Sequence, residues 1–268
     1  MDLMSTIDLN NSIFKLKIGE KKMLDLHDFK MPKLKEEDCN RDSIRKDYIR
    51  QECQIAVKNL MKNNFTAYYC DSVTEARNLV LSLIPDNGII GCGDSHTVFA
   101  LELDEELKKK NCVAIPHTCA VNNYAMEHNS PGFKIIGNKE EMRDILMQYL
   151  VANVFMLGAN AITIDGQIIN IDGTGNRIAG SLYGSDRIIV IAGVNKLVKD
   201  LNSGLDRIRF VAAQMNNIKY GNDLVCNISG ICKECRSDQR NCNITSIIHK
   251  KPVDSDFHVI IIGEELGF

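Results

Sequence analysis

The chain predicts an α/β fold with a doubly wound, mostly parallel sheet. Short apolar runs recur at Gly88–Gly91, Val154–Leu157, Arg187–Ala192 and Val259–Ile262, and each gives way to a glycine-bearing turn. Stretches of helical length and amphipathic spacing lie between them. Strands covered on both faces read as continuous Ile/Val runs, and strand–helix alternation at this spacing builds parallel crossovers.

Residues 1–40 contain Pro32 and the charged run Lys33–Asp38, lack a firm period, and read as a helical extension ahead of a domain at 41–268. From Asp42 to Asn63, Ile44, Tyr48, Ile55, Val57, Leu60 and Met61 suit a long amphipathic helix. Phe65–Cys70 reads as a strand. Asp71 or Ser72 then caps a helix over Val73–Leu83, which Pro85 and Asn87-Gly88 terminate. The strand Gly88–Gly91 leads through a polar turn into a helix over Val98–Lys110, with a strand at Val113–Pro116. A helix over Glu140–Ala152 precedes the strand Val154–Leu157, Gln167–Asn170 is a short β segment, and Asn176–Tyr183 begins another helix. Asp200–Met215 is helical, and Asp206, Arg207 and Arg209 on it read as a solvated face with weak ion pairs.

At 268 residues and 44% apolar, the chain is long enough for one large core. A net charge of −3, with both signs interspersed, offers no basic surface to nucleic acid or an anionic membrane. The absence of Trp removes a stacking platform for single strands. No apolar run approaches the roughly 20 residues of a spanning helix, and Asp2, Asp8, Lys15 and Lys17 do not suit a secretory signal. The expectation is a cytoplasmic protein that neither inserts in membranes nor binds nucleic acid.

Ligands of such sheets sit at the carboxyl ends of strands, near the switch point of the strand order, and glycine-rich turns fall there. The first is Gly91-Cys92-Gly93-Asp94-Ser95-His96-Thr97. Its amides and the Ser95 and Thr97 hydroxyls, at a helix start, suit a phosphate or carboxylate. It lacks the Gly-Lys-Ser/Thr ending of a nucleotide loop and the third glycine of a dinucleotide fingerprint. A tight turn with Ser95 or Thr97 as helix cap is the plain alternative, and His96 reads as a polar loop residue or an acid–base group.

The second is Gly158–Gly180, GANAITIDGQIINIDGTGNRIAG. Asn160 and Thr163 follow one strand, and Asp172, Gly173, Thr174, Gly175, Asn176 and Arg177 lead into a helix. Arg177 is a fork for carboxylate or phosphate. Asp172 is the carboxylate best placed for proton transfer, with Asp165 competing; capped turns would use the same residues structurally. Asn195 and Lys196 follow the strand Arg187–Ala192, where Lys196 would neutralise a ligand anion.

Of ten cysteines, Cys39, Cys53, Cys70, Cys92, Cys112 and Cys119 are scattered and read as buried thiols. Cys226-x5-Cys232-x2-Cys235-x6-Cys242 is a cluster whose four thiolates suit zinc or an iron–sulfur cluster. Gly230 would ease that loop, and Lys233, Arg236 and Arg240 would offset its charge.

Taken together, GCGDSHT, GANAITIDGQIINIDGTGNRIAG, RIIVIAGVNKLVKDLNSGLDRIR, CNISGICKECRSDQRNCN and HVIIIGEELGF resemble the LUD (lactate-utilisation) domain family, its lactate utilisation protein C type included, over Asn59–Phe268. The resemblance implies the fold shared by ribose-5-phosphate isomerases, glucosamine-phosphate deaminases and CoA transferases. It also implies iron–sulfur partner subunits in a system that oxidises L-lactate to pyruvate. A wider similarity links the order GAN…DG…IN…GTGNRIA to methylthioribose-phosphate isomerases, in which an aspartate at the first position serves catalysis. Asn160 stands there in this chain and cannot act as a carboxylate base. Asp94 stands where the LUD pattern carries a glycine, and would repel an anion unless it turns outward or captures a cation.

These readings converge on a binder of a small anionic organic acid or phosphorylated ligand, acting as a subunit or accessory of an L-lactate-oxidising complex. A free-standing isomerase or transferase on a sugar phosphate or acyl-CoA, and a non-catalytic ligand-sensing scaffold, are the competing classes. Homo-oligomerisation is compatible with each.

Overall fold

The structure, a computed structural model, describes residues 15–18, 22–25, 40–115, 143–144, 147–219, 221 and 223–268. The chain divides into two compact units, Met1–Ile44 and Arg45–Phe268. In the first, β1 (Lys15–Ile18) and β2 (Lys22–Asp25) pair antiparallel with Lys15 opposite Asp25. This corrects the helical extension expected there: Lys15-Leu16-Lys17-Ile18 alternates with period two, a strand pattern.

In the second unit, six of the described strands form a wholly parallel sheet. Its order is β3 (Thr66–Cys70), β12 (Asp256–Ile262), β9 (Arg187–Gly193), β6 (Val154–Gly158), β4 (Ile89–Cys92) and β5 (Val113–Ile115). Val190 lies opposite Leu157 on one side and Val259 on the other. Phe155, Leu157, Ile188, Val190, Phe257 and Val259 face one core, while Val154, Met156, Ile189, Ile191, Ile260 and Ile262 face the other. Both faces are apolar, as the unbroken Ile/Val runs require.

The first face is covered by α1 (Arg41–Lys62) and by a second sheet. Helix α1 starts at Asn40, whose side chain accepts from the Ser43 amide at 3.0 Å, and buries Cys53, Ala56 and Leu60 along one stripe. The other face is covered by α2 (Val73–Leu83), α3 (His96–Phe99) and α4 (Asp104–Lys109). Ser72 caps α2, accepting from the Glu75 amide at 3.3 Å.

Sequence periodicity placed one helix over Val98–Lys110, whereas α3 and α4 are separate. Leu101, Leu103 and Leu107 are all buried. In a continuous helix residues two apart point to different sides, so the chain breaks at Glu102, φ 47°, and both leucines reach the core. In the expected helix Glu140–Ala152, Arg143, Asp144 and Met147 are helical and Gln148–Val151 is a 3₁₀ turn; residues 140–142 and 145–146 lie outside the described residues, as does Pro116.

The second sheet has the order β10 (Leu197–Val198), β7 (Ala161–Thr163), β8 (Ile168–Asp172) and β11 (Ile244–Ile248); β10 and β7 are parallel and the other pairs antiparallel. Ile162, Ile168 and Ile248 join the core of the main sheet. Ala161 and Ile169 pack on Ile208 from a long helical segment, α6 (Leu201–Arg207), a π turn at Ile208–Ala212, and α7 (Ala213–Lys219). Helix α5 (Asn176–Leu182) follows β8, and α8 (Val225–Ser229) follows α7.

From β4 the chain moves outward to β5, then returns to β6 on β4's other side. The turn after β4 enters α3 against one face, and the residues after β6 enter the second sheet against the other. A crevice opens at the carboxyl ends of such a pair.

Candidate functional site

A polar cavity of about 340 Å³ occupies this crevice. Ser95 and His96 reach it from the turn after β4, Gly158 and Asn160 from the end of β6, and Lys196 from the turn after β9. Asp172, Gly173, Thr174, Asn176 and Arg177 reach it from the β8–α5 turn. Both glycine-rich segments therefore line one hollow.

Ser95 caps α3, its Oγ accepting from the Val98 amide at 3.3 Å. The β6 backbone runs so close to it that a Cβ on Gly158 would stand 2.5 Å from that oxygen. Across the cavity, Gly175 takes φ 92°, a left-handed conformation that favours glycine. That turn lets Asp172 fold back on α5. One Asp172 oxygen accepts from the Thr174 and Gly175 amides, both at 3.1 Å, and the other from the Ile178 amide at 3.2 Å. The proton-transfer reading of Asp172 gives way to this geometry: its carboxylate is a helix cap, with Arg177 Nε 3.8 Å away.

Arg177 ties the walls together. It donates to the carbonyls of Gly158 and Ile171 and to Asn160 Oδ1. That Asn160 oxygen also accepts from the Ile171 amide at 2.9 Å, and the Asn160 amide donates to Asn170 Oδ1 at 3.0 Å. Asn160 thus joins the end of β6 to β8 through its side-chain oxygen and its backbone N–H.

Lys196 is 4% exposed, and its Nζ donates to Thr97 Oγ1 at 2.8 Å. Burial, then the charges of Arg207 and Arg177, push its pKa down to about 7. Among the described residues, no carboxylate stands within ion-pair distance of it. Arg207, read from sequence as part of a solvated face, instead turns inward: Nε donates to the Asn195 carbonyl at 3.0 Å and its guanidinium also reaches the Asn160 carbonyl. Gly204 and Ile208 mark the buried stripe of this helix, and Arg207 lies beside them.

Asp94 captures a cation. Lys219, from the end of α7, donates to both its oxygens at 2.6 and 2.7 Å, with both side chains largely buried. The expected repulsion of an anion is thereby removed. His96 stacks at a tilt on Phe268, ring centroids 4.7 Å apart. Burial and the Lys219 charge hold it below the usual imidazole range, with Asp94 opposing.

Other sequence candidates lie behind the walls. Gly91 sits within β4 against Phe155, and Gly93 packs on the Arg177 methylenes. Thr97 is buried and donates to the Leu266 carbonyl at 3.2 Å. Asn195 holds the segment after β12, accepting from the Leu266 amide and donating to the Gly267 carbonyl, both at 3.0 Å. Thr163 is not at the cavity. It bonds Asp165 and the Gln167 amide in the β7–β8 hairpin, at the opposite end of β8 from Asp172. Sequence reasoning missed Asn216, Asn241 and Phe268, which complete the lining.

The cysteine segment borders this site. Asn243 donates from its backbone to the Asp172 carbonyl at 2.9 Å and from its side chain to the Gly173 carbonyl at 3.1 Å. The four thiols are free and half-buried. Cys53 and Cys70 are buried, Cys92 and Cys112 half-buried, and Cys39 and Cys119 lie outside the described residues. Among the described residues no helix is long and apolar enough to cross a membrane.

Comparison with solved structures finds a DUF162 family protein from Deinococcus radiodurans, 10% identical, TM-score 0.42, covering 81% of this chain and 98% of that one. It also finds translation initiation factor eIF-2B from Pyrococcus horikoshii OT3, 20% identical, TM-score 0.32, covering 50% of each chain. A third is ribose 5 phosphate isomerase A from Neisseria gonorrhoeae, 19% identical, TM-score 0.28, covering 49% of this chain and 56% of that one. The match therefore spans about half the length of the latter two proteins. Among curated proteins there is no significant match. The LUD domain model matches residues 53–262, most of the chain and every strand of both sheets in the second unit, and the protein belongs to the LUD domain family.

Proposed function

We propose that this chain is a lactate-utilisation-type protein that binds a small carboxylate- or phosphate-bearing ligand in the cavity between β4 and β6. In this reading it serves as a subunit or accessory of an iron–sulfur system that oxidises L-lactate to pyruvate. The observation that carries the reading is Lys196, a buried amine lining the cavity and held by a hydroxyl rather than a carboxylate. A buried ammonium without an anion is costly. An incoming anion supplies the missing charge, and the Ser95 and Thr174 hydroxyls lie along the same walls.

Three features favour binding over isomerase chemistry. Asp172 is committed to amides of its own turn, and Asp94 is paired with Lys219. Asn160 replaces the carboxylate an isomerase would use. A cavity of about 340 Å³ lies at the small end of ligand pockets, roughly 300–1,000 Å³, and suits an organic acid or a sugar phosphate better than an entire acyl-CoA.

Thermal denaturation with L-lactate, pyruvate, inorganic phosphate, ribose 5-phosphate and acetyl-CoA tests this. A ligand at a hundred times its Kd stabilises the native state by about 2.7 kcal/mol. L-lactate or pyruvate should raise the midpoint. Stabilisation by the sugar phosphate alone, with turnover by the isolated chain, would replace the lactate reading with a free-standing enzyme.

A further inference from the structure

We propose that Cys226, Cys232, Cys235 and Cys242 hold a polynuclear iron–sulfur cluster in a second cavity of this chain. The site is separate from the anion cavity and stands or falls independently of it. Cys226, Cys232 and Cys242 line a hollow of about 770 Å³ beside α6 and α7. Arg240 ties the backbone of the fourth cysteine to that of Cys242: its guanidinium donates to the backbone carbonyls of both Cys235 and Cys242, at 2.6 Å each.

Three of the four cysteines thus line one hollow without meeting at a point in it. Among the described residues no three Cys, His, Asp or Glu side chains converge enough to hold a single ion. A mononuclear zinc site needs its sulfurs about 2.3 Å from one point. In a polynuclear cluster the thiolates are shared among several irons, so the ligands enclose a volume instead of a point. The donor set is soft and suits such a cluster.

The walls also carry hydrogen-bond donors in need of acceptors. Gln214 is 8% exposed and lines the hollow, yet its Nε2 has no partner among the described residues. The buried Nε of Arg240 has none either. A buried donor left unsatisfied costs about 1–3 kcal/mol, and cluster sulfurs are acceptors for such groups. Asn217 Nδ2 already stands 3.8 Å from the Cys226 sulfur. Arg236 and Arg240, both lining the hollow, offset the negative charge of four thiolates.

The full chain, purified without oxygen and supplied with ferric iron, a thiol reductant and sulfide, should bind iron and acid-labile sulfide in equal amounts and develop a broad visible absorption. Cys232→Ser and Cys242→Ser should each lose most of the iron, while Cys112→Ser, outside the segment, retains it. In case the serine variants fold poorly, alkylation of the unaltered chain gives a second reading: the four thiols should resist modification when loaded and react when stripped. One zinc without sulfide would overturn the proposal, as would metal-free protein whose four thiols react freely under every condition.

Discussion

Replacing Lys196 with methionine is expected to raise the stability of the ligand-free protein while abolishing its affinity for small anions. In the unfolded chain the amine titrates at its ordinary value of 10.5, and the fold lowers this to about 7. Between those values the unfolded chain holds a proton that the native one does not. Stability therefore rises with pH across that window, and the penalty is complete below about pH 7. At about 1.4 kcal/mol for each unit, the native state gives up several kcal/mol at neutral pH, against about 1 kcal/mol lost with the bond to Thr97. Urea denaturation at pH 7 and pH 10 checks the sign. The unaltered chain should gain stability over that interval and Lys196→Met should lose most of the gain. A variant less stable than the parent at pH 7 would show that the ammonium is already neutralised. Anion binding favours the protonated amine, so affinity in the unaltered chain should weaken as pH rises above about 7.

Arg177→Ala should act in the opposite direction on stability. Its guanidinium serves the Gly158 and Ile171 carbonyls and Asn160 Oδ1 together, joining β6, β8 and α5. Removing it leaves three partly buried acceptors short of a donor and Asp172 without its neighbouring cation. The cost should be about 3 kcal/mol, with loss of anion binding as the walls relax. Arg177→Lys should recover little, because one ammonium cannot reproduce a planar fork. Denaturation and calorimetric titration of the same samples separate the two roles. Lost binding at unchanged stability would mean that the guanidinium serves the ligand and not the wall.

The sheet was legible because burial on both faces writes unbroken runs such as Ile188–Ala192, and the glycine turns after those runs marked Ser95, Asn160, Thr174, Arg177 and Lys196. Of the second sheet only β8 was, as the short segment Gln167–Asn170. Ala161–Thr163 is three residues long, and Ile244–Ile248 follows a polar cysteine segment, so their β structure comes from pairing with β8 rather than from local pattern. Thr163 and Asp165 carry the same turn chemistry as the cavity residues but close a hairpin, a difference set by which end of β8 they meet. Asn216, Asn241 and Phe268 arrive from segments far apart in sequence and depend on tertiary packing for their place. Arg207 was recoverable in principle, since it lies on the buried side of α6 with Gly204 and Ile208.

Asn241 and Asn243 flank Cys242 and press on the Asp172–Gly173 turn; the former lines the anion cavity itself. The two hollows therefore share one partition. Any tightening of anion affinity produced by metal at the thiols must be matched by an equal tightening of metal affinity produced by the anion.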